Sequence, residues 1–210
     1  MSDIRVPPVV RTPRLLLRPL EASDRAEYLH GYIDSAEHLR PWQPTPPPDF
    51  TLDGAFDAEL ARVADHEARG VGCRRVAEIL PETARELGLE PGRRAIAAYV
   101  NLNNITRGAF HSTDMGWRVM REFTRRGFGA KSVAAMLDIT FAPPPHGLGL
   151  HRAQANIMPS NTPSLALAQR VGFRREGFAL RMLRIADTWE DHIMHAKLAD
   201  EHPLVYLAPR

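Results

Sequence analysis

The sequence predicts one mixed α/β domain over residues 1–210, and three observations support this prediction. Strand-like and helix-like segments alternate along the chain rather than forming separate blocks. Apolar residues make up 44% and charged residues 25% of the chain, as in soluble globular proteins with a sizeable core. No internal repeat or low-complexity tract interrupts the pattern, so the elements are expected to share one core.

The first elements are a strand, a helix and a stiff segment. Residues 12–18 predict a strand with an apolar middle. Asp24 and Glu27 then form a predicted capping box, and one apolar face follows: Tyr28, Leu29, Tyr32 and Ile33. The proline-rich residues 41–48 are expected to be extended rather than helical. They are interpreted either as a rigid connection or as a loop that faces the substrate.

Further elements follow in order. The sequence predicts a second helix over residues 52–69, with Phe56, Leu60, Val63 and Ala64 inward and Gly70 at its end. Strands are predicted over residues 74–80, 94–102, 109–120 and 152–158, with a short helical turn between residues 81 and 92. A short helix over residues 161–171 has Pro163 in its first turn. The chain is expected to finish with a strand pair, residues 178–185 and 191–198, around a turn at 186–188.

The most informative stretch is residues 116–141, which read as a strand, a turn with two glycines and an amphipathic helix. A helix N-terminus carries unpaired N–H groups and a partial positive charge, so a phosphate is a natural ligand there. A tight connection without a ligand is the alternative. The Walker spacing fails because Lys131 follows Ala130 rather than a glycine. The third small residue and the acidic residue of a dinucleotide fingerprint are also missing.

Charge and cysteine content limit the possible partners. The net charge of +2 is too small to indicate a nucleic-acid partner, and the basic residues are scattered. The single cysteine, Cys73, cannot form an internal disulfide. The first residues lack an apolar signal region and no segment reaches membrane-spanning length, so a cytoplasmic protein without a membrane partner is expected. The oligomeric state stays open.

Several strings together resemble the GNAT superfamily of acyl-CoA-dependent N-acetyltransferases, most closely the bacterial ribosomal-protein N-terminal alanine acetyltransferases. Besides the turn, they lie at residues 12–15, 39–42, 104–110, 156–164, 171–173 and 189–192. They cover nearly the whole chain in the expected order. The resemblance implies a single mixed, mostly antiparallel sheet flanked by helices, which is the GNAT-like acyl-CoA N-acyltransferase fold. It also implies acetyl-CoA as cosubstrate and no metal.

The acyl-CoA signature of the superfamily falls on residues 124–129, with two departures. Thr124 stands where the family has Arg or Gln, and Arg125 stands where a further glycine is common. Backbone amides from 125 to 130 would still cradle the pyrophosphate, because a side-chain change does not remove them. The resemblance assigns cofactor binding to the following residues: Trp117, Val119, Met120, Thr124, Arg125, Arg126, Gly127, Phe128, Gly129, Ala130 and Asn161.

Ser164, Asn156 and His111 are the candidate catalytic residues. By resemblance, Ser164 donates a hydrogen bond to the departing thiolate, beside Asn161. The structural alternative is that Asn161 and Ser164 only cap a helix. Asn156 ends the preceding strand, where α/β folds place ligands. His111 is a candidate base, although a purely structural histidine is the preferred interpretation.

With acyl-CoA on the turn, the simplest reaction is direct attack of an amine on the thioester, with a backbone N–H from residues 117–120 stabilising the oxyanion. An α-amine is far closer to neutral at cellular pH than a lysine, so it needs only a weak base. Three hypotheses follow: an acetyltransferase for protein N-termini, possibly of a ribosomal protein; one for a small amine such as a polyamine or aminoglycoside; or a non-catalytic acyl-CoA-binding module.

Overall fold

The computed structural model describes residues 9–207, which form one eight-stranded mixed sheet with helices on both faces. The strands lie in the order β1-β2-β3-β4-β5-β6-β8-β7. The strands are β1 Val10–Arg11, β2 Leu15–Arg18, β3 Cys73–Ile79, β4 Ile96–Thr106, β5 Ser112–Val119, β6 Arg152–Ile157, β7 Arg174–Ile185 and β8 Thr188–Leu198. The helices are α1 Arg25–Leu39, α2 Leu52–Ala68, α3 Pro81–Glu86, α4 Phe128–Phe141 and α5 Thr162–Arg170.

Every strand pair is antiparallel except β5 with β6, so the expected mostly antiparallel sheet is confirmed. The parallel pairing covers only residues 112–114 against 152–154. Beyond these residues, β5 continues to Val119 and β6 to Ile157 without pairing to each other. The two strands therefore diverge and leave a gap in the middle of the sheet.

Aromatic packing places α1 and α2 on one face of the sheet. Tyr28 of α1 contacts Phe56 of α2 edge-on, with ring centroids 5.1 Å apart, and Tyr99 of β4 at 5.9 Å. Helix α4 lies on the opposite face, where Gly129 packs against Val119. Nearly all of α4 is buried, and its apolar side chains form the centre of the main core. The mixed α/β prediction is therefore confirmed.

Asp138 of α4 fastens the last described segment to the core. Its buried carboxylate accepts hydrogen bonds from the backbone N–H groups of Val205, Tyr206 and Leu207, and the His202 Nε2 lies 2.7 Å from it. Burial alone would raise the pKa of Asp138, but these hydrogen bonds outweigh burial and hold the pKa below its usual value. The charged carboxylate therefore stabilises the docked segment.

The predicted capping box at the start of α1 is wrong. Asp24 instead binds Arg18 through both carboxylate oxygens, each at 2.7 Å, and Glu27 binds Arg93. The Asp24 carboxylate also accepts from the Glu21 N–H at 2.9 Å, and the Asp24 N–H donates to the Glu21 backbone carbonyl at 3.0 Å. Buried Arg18 and half-buried Arg93 compete successfully for these carboxylates because charge-assisted hydrogen bonds are the stronger ones.

Other differences from the predicted elements have simple causes. The expected strand over residues 12–18 begins only at Leu15, because the Thr12 hydroxyl accepts from its N–H and forms a turn. Ile33 is 63% exposed, so the inward face of α1 is narrower than predicted. Pro41 lies in a 3-10 turn, Arg40–Trp42, because proline is tolerated in a first turn. The short helix expected between residues 81 and 92 is confirmed as α3.

The β7–β8 hairpin is longer than predicted. Strand β7 begins at residue 174 rather than 178, and β8 at 188 rather than 191. Ala186 and Asp187 both have positive φ, 44° and 65°, as in the two-residue turns that suit the twist of a hairpin. The hairpin therefore brings the end of β7 back towards the middle of the molecule.

Candidate active site

An open cavity of about 1480 Å³ lies where β5 and β6 diverge. Typical sites for a single small ligand have volumes of roughly 300–1,000 Å³, so this cavity has room for two substrates. Its walls come from β4, β5, α4, α5, the end of α1 and the end of β7. One half lies beside the α4 turn, and the other lies on the α1 and α2 face.

The unpaired edge of β5 supplies backbone donors to the gap. The Met120 N–H donates to the Ala97 carbonyl at 3.0 Å, on the β4 side. Because backbone groups alternate in direction along a strand, those of Arg118 also face β4, whereas those of Trp117 and Val119 face the gap. The N–H groups of Trp117 and Val119 are thus placed for a ligand. Met120 is not, contrary to expectation, because its N–H is engaged and its side chain is buried.

The turn before α4 presents a run of free amides. Within the described chain, the N–H groups of residues 125–130 have no hydrogen-bond acceptor. Arg125 and Gly127 adopt positive φ, 60° and 78°, which curls the backbone into the helix start. Such a concave run of N–H groups at a helix N-terminus binds anions, phosphates above all. The turn therefore fits the pyrophosphate of acetyl-CoA.

The turn is held in place by Arg14 of the N-terminal segment. Its guanidinium donates to the Arg126 carbonyl at 3.2 Å and stacks 4.3 Å above the Phe128 ring. Arg126 and Phe128 therefore support the turn from behind. Their side chains do not line the cavity, so of the predicted binding role only their backbone N–H groups remain in place.

Gly129 allows α4 to approach both β5 and α5 closely. A Cβ atom at this position would lie 2.8 Å from the Val119 Cγ2 and 2.8 Å from the Leu167 Cδ1. Any larger residue would push the helix start away from the strand. The small residue thus keeps the free amides beside the gap.

Asn161 caps α5 and also lines the cavity. Its side-chain oxygen accepts from the Ser164 N–H at 3.2 Å. The capping interpretation is therefore right for Asn161, and it uses only the backbone of Ser164. The Ser164 hydroxyl lines the cavity and makes no hydrogen bond within residues 9–207, so it remains available as a donor.

The second half of the cavity is built by residues that the sequence prediction missed. Tyr99 and Asn101 of β4 and Arg118 of β5 form its floor, because they lie on one face of neighbouring strands. Residues 42–44 cover one side, so the interpretation of the proline-rich segment as a substrate-facing loop is favoured. The Gln43 carbonyl accepts from the Ala186 N–H at 3.1 Å, which ties this segment to the hairpin.

The lining of the cavity is cationic. Among the described residues it contains no Asp or Glu, and its arginines are Arg74, Arg118, Arg121, Arg125 and Arg170. Burial lowers the pKa of Arg74 to about 10, although the neighbouring Glu59 opposes that shift. Burial also raises the pKa of Tyr99, so its hydroxyl stays protonated at neutral pH. The lining therefore offers no carboxylate as a general base.

Two predicted catalytic residues lie elsewhere. His111 precedes β5 at the end opposite to the cavity, and its Nε2 lies 2.8 Å from the Gly149 carbonyl oxygen. It is therefore not placed to act as a base and fits the structural alternative. Asn156 lies on β6 beside Met194 of β8 and does not line the cavity. By contrast, Ser164 and the cofactor candidates Trp117, Val119, Thr124, Arg125, Gly127, Gly129, Ala130 and Asn161 all line it.

Residues 9–207 contain no group of three or more His, Cys, Asp or Glu side chains that could hold a metal ion. None of the helices in this part of the chain is long and apolar enough to cross a membrane.

Comparison with known proteins agrees with the geometry. The profile of the family described as "Acetyltransferase (GNAT) domain" matches residues 14–174. The Escherichia coli (strain K12) protein "[Ribosomal protein uS5]-alanine N-acetyltransferase" is 27% identical over 186 residues, which cover 88% of each chain.

Among solved structures, Mycobacterium smegmatis RimJ in complex with CoA-disulfide superposes with a TM-score of 0.77 at 26% identity, covering 95% of this chain and 89% of that one. A Vibrio cholerae spermidine N-acetyltransferase, at 19% identity and a TM-score of 0.69 over 91% of this chain and 99% of that one, shares the fold. The family profile, the sheet and the amide turn agree, and the chain belongs to the GNAT family as an acetyl-CoA-dependent N-acetyltransferase.

Proposed function

We propose that this enzyme acetylates the N-terminal α-amine of a protein whose first residue is small, such as Ala or Ser, in the manner of the ribosomal-protein alanine enzymes. The observation that carries the proposal is the absence of Asp and Glu among the described residues that line the cavity. The name of the Escherichia coli relative supports it. Such an acceptor is met in the cytoplasm, and the proposal treats residues 1–210 as one catalytic unit.

The charge of the cavity argues against a polyamine acceptor. A polycation needs carboxylates to replace its water shell, and the acceptor half instead offers the guanidinium of Arg118, which is unpaired within residues 9–207. The spermidine enzyme that shares the fold shows that the fold alone does not decide the acceptor. The chemistry of the lining therefore has to decide, and it favours an amine that arrives neutral.

An α-amine meets this condition. Its pKa of roughly 7.7–8.0 leaves a useful neutral fraction at cellular pH, whereas a lysine near 10.4 costs about 3.4 kcal/mol more to deprotonate. The cavity has no carboxylate to take that proton. Water suffices for an α-amine, so the lack of a carboxylate in the lining is consistent with the proposed acceptor.

In the proposed reaction, acetyl-CoA supplies an acetyl thioester. The amides of residues 125–130 hold its pyrophosphate, and the N–H groups of Trp117 and Val119 face the negative charge that develops on the carbonyl oxygen. The amine nitrogen forms the C–N bond and releases a proton to water as the C–S bond breaks. The Ser164 hydroxyl gives a proton to the departing sulfur and recovers one from solvent.

The test is thiol release from acetyl-CoA with a panel of acceptors. It compares peptides that begin with Ala or Ser, the same peptides with a blocked N-terminus and an internal lysine, spermidine, and an aminoglycoside. The proposal predicts turnover of the free N-termini alone. Robust turnover of spermidine without turnover of the peptides would contradict it, and acetyl-CoA binding without any turnover would favour a non-catalytic module.

A further inference from the structure

Arg118 is a cation without a counter-ion in the acceptor half of the cavity. Within residues 9–207 its guanidinium makes no hydrogen bond or ion pair, and its Nε is buried without a partner. It stacks 4.3 Å above the Tyr99 ring and lies 5.7 Å from the Tyr28 ring. The two rings fix the guanidinium in position but leave its hydrogen-bond donors unused.

The other arginine of this half is already neutralised. Arg74 forms an ion pair with Glu59, which also binds Arg62. The carboxylate of Asp114, which shares this face of β5, accepts from the Asn104 amide at 2.9 Å and lies outside the cavity lining. Within residues 9–207 Arg118 therefore pairs with no carboxylate, and a half-buried cation of this kind favours an anionic ligand.

The position of Arg118 relative to the gap indicates which part of a substrate it meets. Its neighbour Trp117 directs a backbone N–H to the gap, while the Arg118 side chain projects onto the α1 and α2 face. Two residues earlier on that face is Gly116, which also lines the cavity and lets the Asn101 amide lie close over the strand, 3.1 Å from where a Cβ atom would be. Because strand residues rise about 3.3 Å each, the backbones of Gly116 and Arg118 lie roughly 6.6 Å apart along the floor, which is the spacing of two residues in an extended peptide.

We propose that Arg118 is a specificity-determining residue that binds an acidic side chain at the second or third position of the acceptor protein. This inference rests on the proposed N-terminal acceptor and adds a sequence preference to it. The amine enters over Gly116 towards the gap, and an extended chain then carries its next side chains past the guanidinium. A carboxylate there pairs with unused donors, whereas a lysine meets an uncompensated positive charge.

The test uses wild-type enzyme and a peptide series with Ala first. Glu, Gln or Lys is placed at position two in one set and at position three in another, and kcat/KM is measured by thiol release. We expect Glu to exceed its neutral isostere Gln by about tenfold at one of these positions, chiefly through KM, and Lys to be poorest. The ratio should fall as salt is added, because the pair lies in an open cavity.

Variants then assign the preference to one residue. Arg118→Gln should reduce the Glu-to-Gln ratio to about one, and Arg118→Lys, which keeps the charge over Tyr99, should keep part of it. Arg152→Gln is the matched control, because it removes one positive charge from neighbouring β6 outside the cavity and should leave the ratio unchanged. Circular dichroism melts check that each variant is folded.

The outcomes separate the two proposals. Turnover of Ala peptides with equal kcat/KM for Glu, Gln and Lys would overturn the role of Arg118 and leave the N-terminal acceptor standing. A Glu preference that survives in Arg118→Gln would also overturn it. Failure of every peptide, with turnover of a small amine, would remove the proposed function and this inference with it.

Discussion

Replacing Gly127 by Val should separate cofactor binding from folding. Gly127 has φ of +78°, and a Cβ atom there would meet nothing within 4 Å. The cost is therefore conformational, about 1–2 kcal/mol for an ordinary residue and more for a β-branched one. The turn can relieve this strain by changing φ, but the N–H groups of Gly127 and Phe128 then leave the run that faces the cavity.

The size of the effect follows from these two donors. A hydrogen bond to a charged group contributes about 1.5–3 kcal/mol, so losing one or both weakens acetyl-CoA binding by at least about tenfold and up to about a hundredfold or more. Isothermal titration calorimetry with acetyl-CoA measures this directly. An unchanged dissociation constant in a folded Gly127→Val protein would refute the amide site.

Gly88→Val is the matched control. Gly88 has φ of +68°, a Cβ atom there also meets nothing within 4 Å, and it lies after α3, outside the cavity lining. Both variants should lose similar stability in a thermal melt, because the backbone strain is similar. Only Gly127→Val should lose acetyl-CoA affinity. Equal losses of affinity would mean that the effect comes from general destabilisation.

Four further predictions concern single groups or the pH dependence. Ser164→Ala should lower kcat about ten- to a hundredfold. Acetyl-CoA binding and melting temperature should stay unchanged, because the backbone N–H of residue 164 still donates to the Asn161 side chain. A wild-type kcat would leave Ser164 only a structural role. Asp138→Asn should cost about 2–4 kcal/mol at pH 7, measured by urea unfolding. The lowered pKa of Asp138 makes this contribution present above about pH 3.8 and lost below it, so the difference from wild type should shrink in acid, and a constant gap would contradict the argument. Burial raises the pKa of Cys73 to about 12, so native protein should not react with a thiol reagent at pH 8, and rapid labelling would show that the thiol is accessible. With an Ala peptide, kcat/KM should rise with pH to near 8 and then level, whereas a plateau already reached near pH 6.5 would reveal a base on the enzyme.

The cofactor half of the site was predictable because local spacing determines it. A strand, two glycines and a helix follow each other without a break, so the free amides of residues 125–130 can be placed from the order of residues alone. The structure also explains one departure from the family pattern. Arg125 adopts φ of +60°, a conformation for which glycine is the usual residue, so its backbone serves the turn at some cost in strain.

The acceptor half was not predictable because distant segments build it. Tyr99 and Arg118 share a face only through the pairing of β4 with β5. Residues 42–44 reach them only because the β7–β8 turn holds Gln43. A lone arginine in a strand gives no signal by itself, and its importance emerges once the structure shows that no carboxylate accompanies it.

The failed predictions have the same origin. Asp24 carries a good local capping signal, but a buried arginine from β2 takes its carboxylate. His111 directly precedes β5, so the parallel pairing of residues 112–114 separates it from the cavity. Both outcomes depend on tertiary contacts that sequence spacing does not encode.

Competition between two amines within one molecule decides which of them accepts the acetyl group. A peptide that begins with Ala-Glu and carries an internal lysine offers both amines at equal concentration. After partial turnover with acetyl-CoA, tandem mass spectrometry locates the acetyl group. The penalty of about 3.4 kcal/mol for lysine corresponds to a preference of about 300-fold, so acetylation of the α-amine alone is predicted. Acetyl groups found mainly on the lysine would contradict the account.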